Sequence, residues 1–144
     1  MLLRPKLFAA ISDVGAQVLR ALSPRELELA VLRVHWLCQS AYGWGEHVLV
    51  ARKLGFTGEE IERITLGAAA PGWNEHERAL LSAVEELRET AQVSDQTWHL
   101  LAQRFDAGQL VELLAVIGQA QAMAYFLNGT RLKPVQGNLG LDAR

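Results

Sequence analysis

The sequence predicts an all-α fold of six to seven helices, and three observations carry that prediction. Helix-start signatures recur: Ser23-Pro24-Arg25-Glu26, Thr57-Gly58-Glu59-Glu60 and Asn74-Glu75-His76-Glu77 each place a capping side chain three residues ahead of a Glu. The stops are equally plain, with Gly55 after Arg52-Lys53-Leu54 and Asn128-Gly129 after the last apolar run. No segment alternates apolar and polar residues at period two for long enough to make a strand.

The elements follow in order. A first helix is expected over residues 6–21. A second covers 24–39, with Pro24 at its first helical position, where the missing N–H costs nothing. A third is expected over 43–54, where Gly43 and Gly45 suggest a helix break or a close backbone approach. A fourth covers 58–66, and the stretch Gly67 to Trp73 is the main irregular linker. Helices over 75–90, 95–104 and 107–127 complete the set, the last two opening at Ser94 and at Asp106, with Gln109 three residues on. The tail from Lys133 to Arg144 carries Pro134, Gly137 and Gly140 and is expected to be extended or frayed. There is no internal repeat or low-complexity tract, so residues 1–144 read as a single domain.

Composition narrows the function classes. The chain has 144 residues, half of them apolar, enough to bury a core. Lys and Arg number 14 against 16 Asp and Glu, a net charge of −2 that gives no electrostatic reason for nucleic acid or an anionic membrane as partner. Cys38 is the sole cysteine, which excludes an intrachain disulfide, a CxxC redox centre and a cysteine-rich zinc site. Met1-Leu2-Leu3-Arg4-Pro5-Lys6 does not read as a secretory signal, because Ser12 and Asp13 interrupt the apolar stretch that follows. The run from Leu110 to Leu127 is broken by Glu112, Gln119 and Gln121 and reads as a buried helix rather than a membrane span. A cytoplasmic protein is the expectation.

Two helices are unusually apolar for a small monomer. Between Leu27 and Cys38 only Glu28, Arg33 and His35 are charged or imidazole side chains. Helices apolar nearly all round are buried on most sides, which suggests a second subunit. Ala115, Gly118 and Ala122 form a small-residue seam at helical spacing that would let another helix approach closely. The alternative is a central helix inside one monomer.

Polar residues on such helices call for a reason, since burying an unpaired charge is costly. Glu28 and His35 are seven apart, within about 20° on one face but about 10 Å apart along the axis, so something must sit between them. A solvated carboxylate at the positive helix end is the alternative for Glu28. The segment Cys38-Gln39-Ser40-Ala41-Tyr42-Gly43-Trp44-Gly45-Glu46-His47 then gathers a thiol, a phenol, an indole, a carboxylate and an imidazole. Near a buried carboxylate, His47 is a candidate general acid or base; otherwise it is a structural imidazole bonded to a backbone carbonyl. Cys38 reads as a small buried hydrophobe more readily than as a nucleophile. His76 and His99 read as surface residues, Trp73 and Trp98 as packing residues. A metal site from His35, His47 and Glu28 lacks any HxxH, HxxxH or HExxH spacing, so neither metal nor cofactor is expected.

Leu22 to Val34, Trp36-Leu37-Cys38 and Tyr42 to Val48 together resemble the carboxymuconolactone decarboxylase family, relatives of alkylhydroperoxidase D. The resemblance runs in order through Ala51 to Gly55, Glu59-Glu60-Ile61, Ser94-Asp95 and Gln109 to Leu113, over roughly residues 20–130. It implies an all-α fold assembled into homotrimers or homohexamers, with a site where the second and third helices meet. In the peroxidase branch a Glu, a CxxC pair and a His four residues after its second Cys form a proton relay. Glu28 matches that Glu and His47 that His, while Ser40 and Gly43 stand at the two Cys positions, so the thiol chemistry is absent. In the decarboxylase-like branch the segment commonly reads Glu-Tyr-Glu-Trp before the His. Here it reads Ala41-Tyr42-Gly43-Trp44, without either carboxylate, and Glu46 is expected to point elsewhere.

The resemblance implies a cofactor-free lyase or isomerase acting on a small lactone or enolisable carboxylic acid. His47 would serve as acid and base, Glu28 as its orienting partner and Tyr42 as a donor to the developing oxyanion. Trp44 and His35 would line the pocket with Cys38 beside them, and Arg33 would clamp a substrate carboxylate. The rival readings are a non-catalytic oligomeric ligand-binding or stress-associated member, and residual redox chemistry at Cys38.

Overall fold

The computed structural model describes residues 4–18 and 20–144. Among them the chain forms seven α-helices: α1 (Pro5–Val18), α2 (Pro24–Leu37), α3 (Ala41–Lys53), α4 (Gly58–Leu66), α5 (Glu75–Thr90), α6 (Asp95–Ala102) and α7 (Ala107–Gly129), followed by a 3-10 turn at Gly140–Asp142. No strand occurs among the described residues. The all-α prediction holds.

The caps explain the boundaries. The Ser23 side chain accepts from the Glu26 amide while the Glu26 carboxylate accepts from the Ser23 amide. The same reciprocal box closes Thr57 with Glu60, Asn74 with Glu77 and Asp106 with Gln109. Each such cap contributes about 1 kcal/mol. Several boundaries depart from expectation by one to three residues. The third helix starts at Ala41, so Gly43 and Gly45 lie inside it rather than breaking it. The first ends at Val18; residues 1–3 and 19, which enter the leader and first-helix expectations, lie outside the described residues.

Helix α2 is the axis of the molecule. All nine residues from Leu27 to His35 are buried, because α3, α4, α5 and α7 pack around it. Val31 and Val34 join Leu80, Val84, Leu101 and Leu113 in one cluster. Leu29 and Leu32 join Trp44, Ile61, Ile64 and Trp73 in another. Burying one such side chain stabilises by about 1.5–3 kcal/mol. The apolarity of α2 is therefore satisfied within one chain and needs no second subunit. Helix α7 differs. It is long and apolar enough by length and composition to cross a membrane, yet it packs on α1, α2, α3 and α6. Its other face stays uncovered: Val111 is 65% exposed and Tyr125 62%, with Ala115, Gly118 and Ala122 exposed between them.

The tail is not frayed; it straps α3. Asn138, Gly140 and Ala143 are buried. The Trp44 indole donates to the Ala143 carbonyl at 3.1 Å, and the Arg144 guanidinium lies 5.2 Å from the Trp36 ring. Asn138 Nδ2 donates to the Tyr42 carbonyl at 3.0 Å and to Glu46 Oε1 at 2.9 Å. Gly45 makes this possible, since a Cβ there would sit 1.7 Å from Asn138 Oδ1. The strap follows from this side-chain docking, which offsets the conformational freedom that Pro134, Gly137 and Gly140 suggest.

Candidate active site

Helices α2 and α3 are joined by the tight turn at residues 38–40, which lays their apolar faces together. Glu28, on α2, is only 4% exposed. Its Oε2 lies 2.9 Å from Nδ1 of His47, which comes across from α3. The His47 ring also stacks on the His35 ring, with centroids 5.2 Å apart and planes 24° from parallel. The gap between Glu28 and His35 is thus filled by an imidazole from the neighbouring helix. A carboxylate at Nδ1 selects the tautomer protonated there and leaves the lone pair on Nε2 of His47.

His35 is 2% exposed, and its Nδ1 is buried without a hydrogen-bond partner. Burial first, and the neighbouring His47 second, push its pKa down from 6.5 to about 3; it stands as a neutral ring. Gly43 provides its seat. A Cβ at position 43 would fall 2.3 Å from both Nδ1 and Cε1 of His35. The ring therefore occupies the room in which a side chain at position 43 would begin.

These groups open on a cavity of about 400 Å³. Its polar end carries Glu28, His35, Tyr42, Glu46 and His47. Its body is walled by Val31, Val116, Met123, Phe126, Leu127 and Leu132. Ile11, Ser12 and Gly15 of α1 form one side, tied down where Gln119 Nε2 donates to the Ile11 carbonyl at 2.9 Å.

The structure brings Glu28, His35, Tyr42 and His47 to one cavity and places the other three candidate residues elsewhere. Trp44 is fully buried in the core on the tail side of α3 and does not line the cavity. Arg33 lies about 140° around α2 from Glu28. Its guanidinium is held by Glu85 at 2.9 Å and by the carbonyls of Ile64 and Thr65 at 3.0 and 2.9 Å, so it cannot clamp a ligand here. Cys38 is half-buried outside the cavity and receives a hydrogen bond from Arg88 at 3.3 Å. Glu46, expected to point elsewhere, lines the cavity; its partner Asn138 is 92 residues away, so no local signal marked it. His76 is not a surface residue: it is buried, 2.8 Å from Glu26 Oε1, with its ring edge-on to Phe105. His99 is exposed, Trp73 is core, and Trp98 is 39% exposed rather than packed. Among the described residues, no group of three or more His, Cys, Asp or Glu side chains is arranged to hold a metal ion.

The chain matches the family model described as the carboxymuconolactone decarboxylase family over residues 5–86, more than half its length. It is similar to a crystal structure from Agrobacterium tumefaciens of a protein of unknown function, a candidate antioxidant defence protein AhpD. That match has 25% identity, a TM-score of 0.83, and coverage of 91% of this chain and 92% of the other. An uncharacterised peroxidase-related protein from Silicibacter sp. TM1040 shares the fold at 15% identity and a TM-score of 0.78, with coverage of 90% and 71%. No curated protein matches the sequence.

Proposed function

Since this chain belongs to the carboxymuconolactone decarboxylase family, we propose that it is a cofactor-free acid–base catalyst. In this reading it is a lyase or isomerase acting on a small lactone or enolisable carboxylic acid in the cavity between α1, α2, α3 and α7. The observation that carries the reading is the His47–Glu28 pair, 2.9 Å apart and opening on that cavity. Nε2 of His47 takes a proton from the carbon next to the substrate carbonyl. The electrons delocalise onto the carbonyl oxygen, to which Tyr42, a lining residue, donates in this reading. Glu28 orients the ring and balances the imidazolium that forms. The same proton, returned to a different carbon, completes an isomerisation; in a decarboxylation the departing carbon dioxide leaves the electron pair, and His47, first protonated at Nε2 by water, passes that proton to the carbon.

Two observations argue against thiol peroxidase chemistry. Ser40 and Gly43 replace the cysteine pair, and the one thiol lies outside the cavity. A non-catalytic ligand-binding role is the second reading, favoured by the absence of carboxylates at Ala41 and Gly43; Glu46 at the polar end weighs against it. We further propose a homo-oligomer, trimer or hexamer, built on the exposed α7 face from Val111 to Tyr125. Sedimentation of the wild type against Gly118→Glu tests it, with a smaller species expected for the variant.

The decisive experiment follows α-angelica lactone and a carboxylated butenolide by NMR in deuterium oxide. Isomerisation or exchange of either one, lost in His47→Ala while the fold is retained, supports catalysis. Turnover that survives the substitution refutes this assignment of His47. No turnover of either favours the ligand-binding reading.

A further inference from the structure

The cavity carries its own statement about charge. Among the described residues that line it, the ionisable ones are Glu28, Tyr42, Glu46, His35 and His47. Two are carboxyl groups, and none is Lys or Arg. Arg33, the cation nearest in sequence to His35, is taken up by Glu85 and two backbone carbonyls. His35 is held neutral by its burial. Any positive charge on His47 is matched by Glu28 at 2.9 Å. A ligand carboxylate would enter such a space without a spare counter-ion and beside the Glu46 carboxylate, which costs far more in an apolar cavity than in water.

Size and walls add a second constraint. A cavity of roughly 150 Å³ lined by aliphatic and aromatic side chains takes benzene; this one is about 400 Å³. Beyond the polar end its walls are Val31, Val116, Met123, Phe126, Leu127 and Leu132. A five-membered ring alone would leave most of that surface uncovered. Gly43 and His35 complete the polar end, because the His35 ring, its Nδ1 without a hydrogen-bond partner, fills the place from which a side chain at position 43 would have reached the ligand.

We infer that the ligand is uncharged, a lactone or similar carbonyl head on an extended apolar body, and that substrates bearing a carboxylate are excluded by the cavity's own charge. The inference rests on the acid–base reading above and narrows it to the lactone. It sets this chain apart from any enzyme that must hold a carboxylated lactone.

The test is calorimetric titration at pH 8 with γ-decalactone and with 4-hydroxydecanoate, its ring-opened anion on the same carbon skeleton. The lactone is expected to bind at least about tenfold more tightly than the anion. Shortening the lactone's tail should weaken binding by up to about fourfold per methylene removed. Glu46→Gln keeps an acceptor for Asn138 and should narrow the gap between lactone and anion. Equal or tighter binding of the hydroxy acid would overturn the inference, as would failure of both ligands to bind. A gap unchanged in Glu46→Gln would overturn the electrostatic explanation. Calorimetry reads binding without turnover, so the two proposals fail separately: a preference for lactone with no His47-dependent chemistry would sink catalysis alone. His47-dependent turnover of the carboxylated butenolide, with no preference for lactone, would sink the ligand class alone.

Discussion

Helix α2 presents two glutamates two residues apart, each paired to a histidine from another helix, and the two pairs have different fates. Glu26 meets His76 of α5 at 2.8 Å and Glu28 meets His47 of α3 at 2.9 Å. A two-residue step turns the side chain by about 200°, so the pairs lie on nearly opposite sides of the helix. Glu26 is engaged twice, since its other oxygen accepts from the Ser23 amide at 2.9 Å, and His76 is closed in against Phe105. The His47 side chain is 32% exposed and opens on the cavity, with its carboxylate 5% exposed beneath it. Identical functional groups at nearly identical distances thus make a structural tie on one side and a candidate acid–base centre on the other. Access and neighbours decide between them, not the pair itself.

Deleting each histidine in turn separates the two pairs. His47→Ala should lower kcat/KM on a processed lactone by about 10²- to 10⁴-fold, the usual range for a positioned general base, with the fold retained but stability lowered by about 1–3 kcal/mol as buried Glu28 loses its His47 partner. His76→Ala should leave turnover near normal at a similar loss of about 1–3 kcal/mol in urea unfolding as the buried tie is lost. Equal activity losses in both would show that the two pairs are not separable.

Acid titration isolates the third histidine. The folded pKa of His35 is about 3 against 6.5 unfolded. Between those values the unfolded chain binds a proton that the folded chain refuses, so stability is complete above about pH 6.5 and falls as pH drops toward 3. The loss is on the order of a few kcal/mol. His35→Asn should flatten this limb when urea midpoints at pH 7.5 and 5 are compared with wild type. An unchanged limb would mean that His35 is not a neutral buried ring.

Gly43→Ala comes next. The new Cβ would meet the His35 ring at 2.3 Å, and overpacking of this kind costs about 1–3 kcal/mol. It should also lower the rate by displacing the ring stacked on His47. In the double variant His35→Ala, Gly43→Ala the penalty of the added methyl should largely vanish, because the ring it strikes is gone. Strict additivity in unfolding free energy would refute the seat that Gly43 provides.

These details mark what could be read from the residues. The helices were legible because Ser23, Thr57, Asn74 and Asp106 cap them by local rules that need no tertiary contact. Spacing left Glu28 open between a solvated and a buried carboxylate, and the resemblance alone set it beside His47. What failed was long-range or directional. Gly43 and Gly45 read as a break or as a close backbone approach, and the second holds: they admit His35 and Asn138 against the α3 backbone, partners that no local signal names. Arg33 and Trp44 are close in sequence to site residues yet face away from the cavity, and Glu46 and the strapping tail depend on a partner 92 residues distant. His76 looked solvated among charged neighbours because Glu26, 50 positions earlier, is invisible as its partner.

The smallest expected effect lies on the structural side of α2. Burial opposes ionisation of Glu26, but hydrogen bonds from Ser23 and His76 outweigh it and hold its carboxyl below the ordinary 4.5. A depressed carboxyl pKa contributes stability above about pH 4.5 that is lost as pH falls through the folded value. Glu26→Gln should therefore soften acid unfolding below pH 4.5 and leave the His35-dependent limb at higher pH in place. Its kcat/KM at neutral pH should stay within about twofold of wild type, since the side chain lies across α2 from the cavity. A larger fall in activity, without a change in fold, would show that α2 transmits strain from its capped end to Glu28 and would make the two pairs one system.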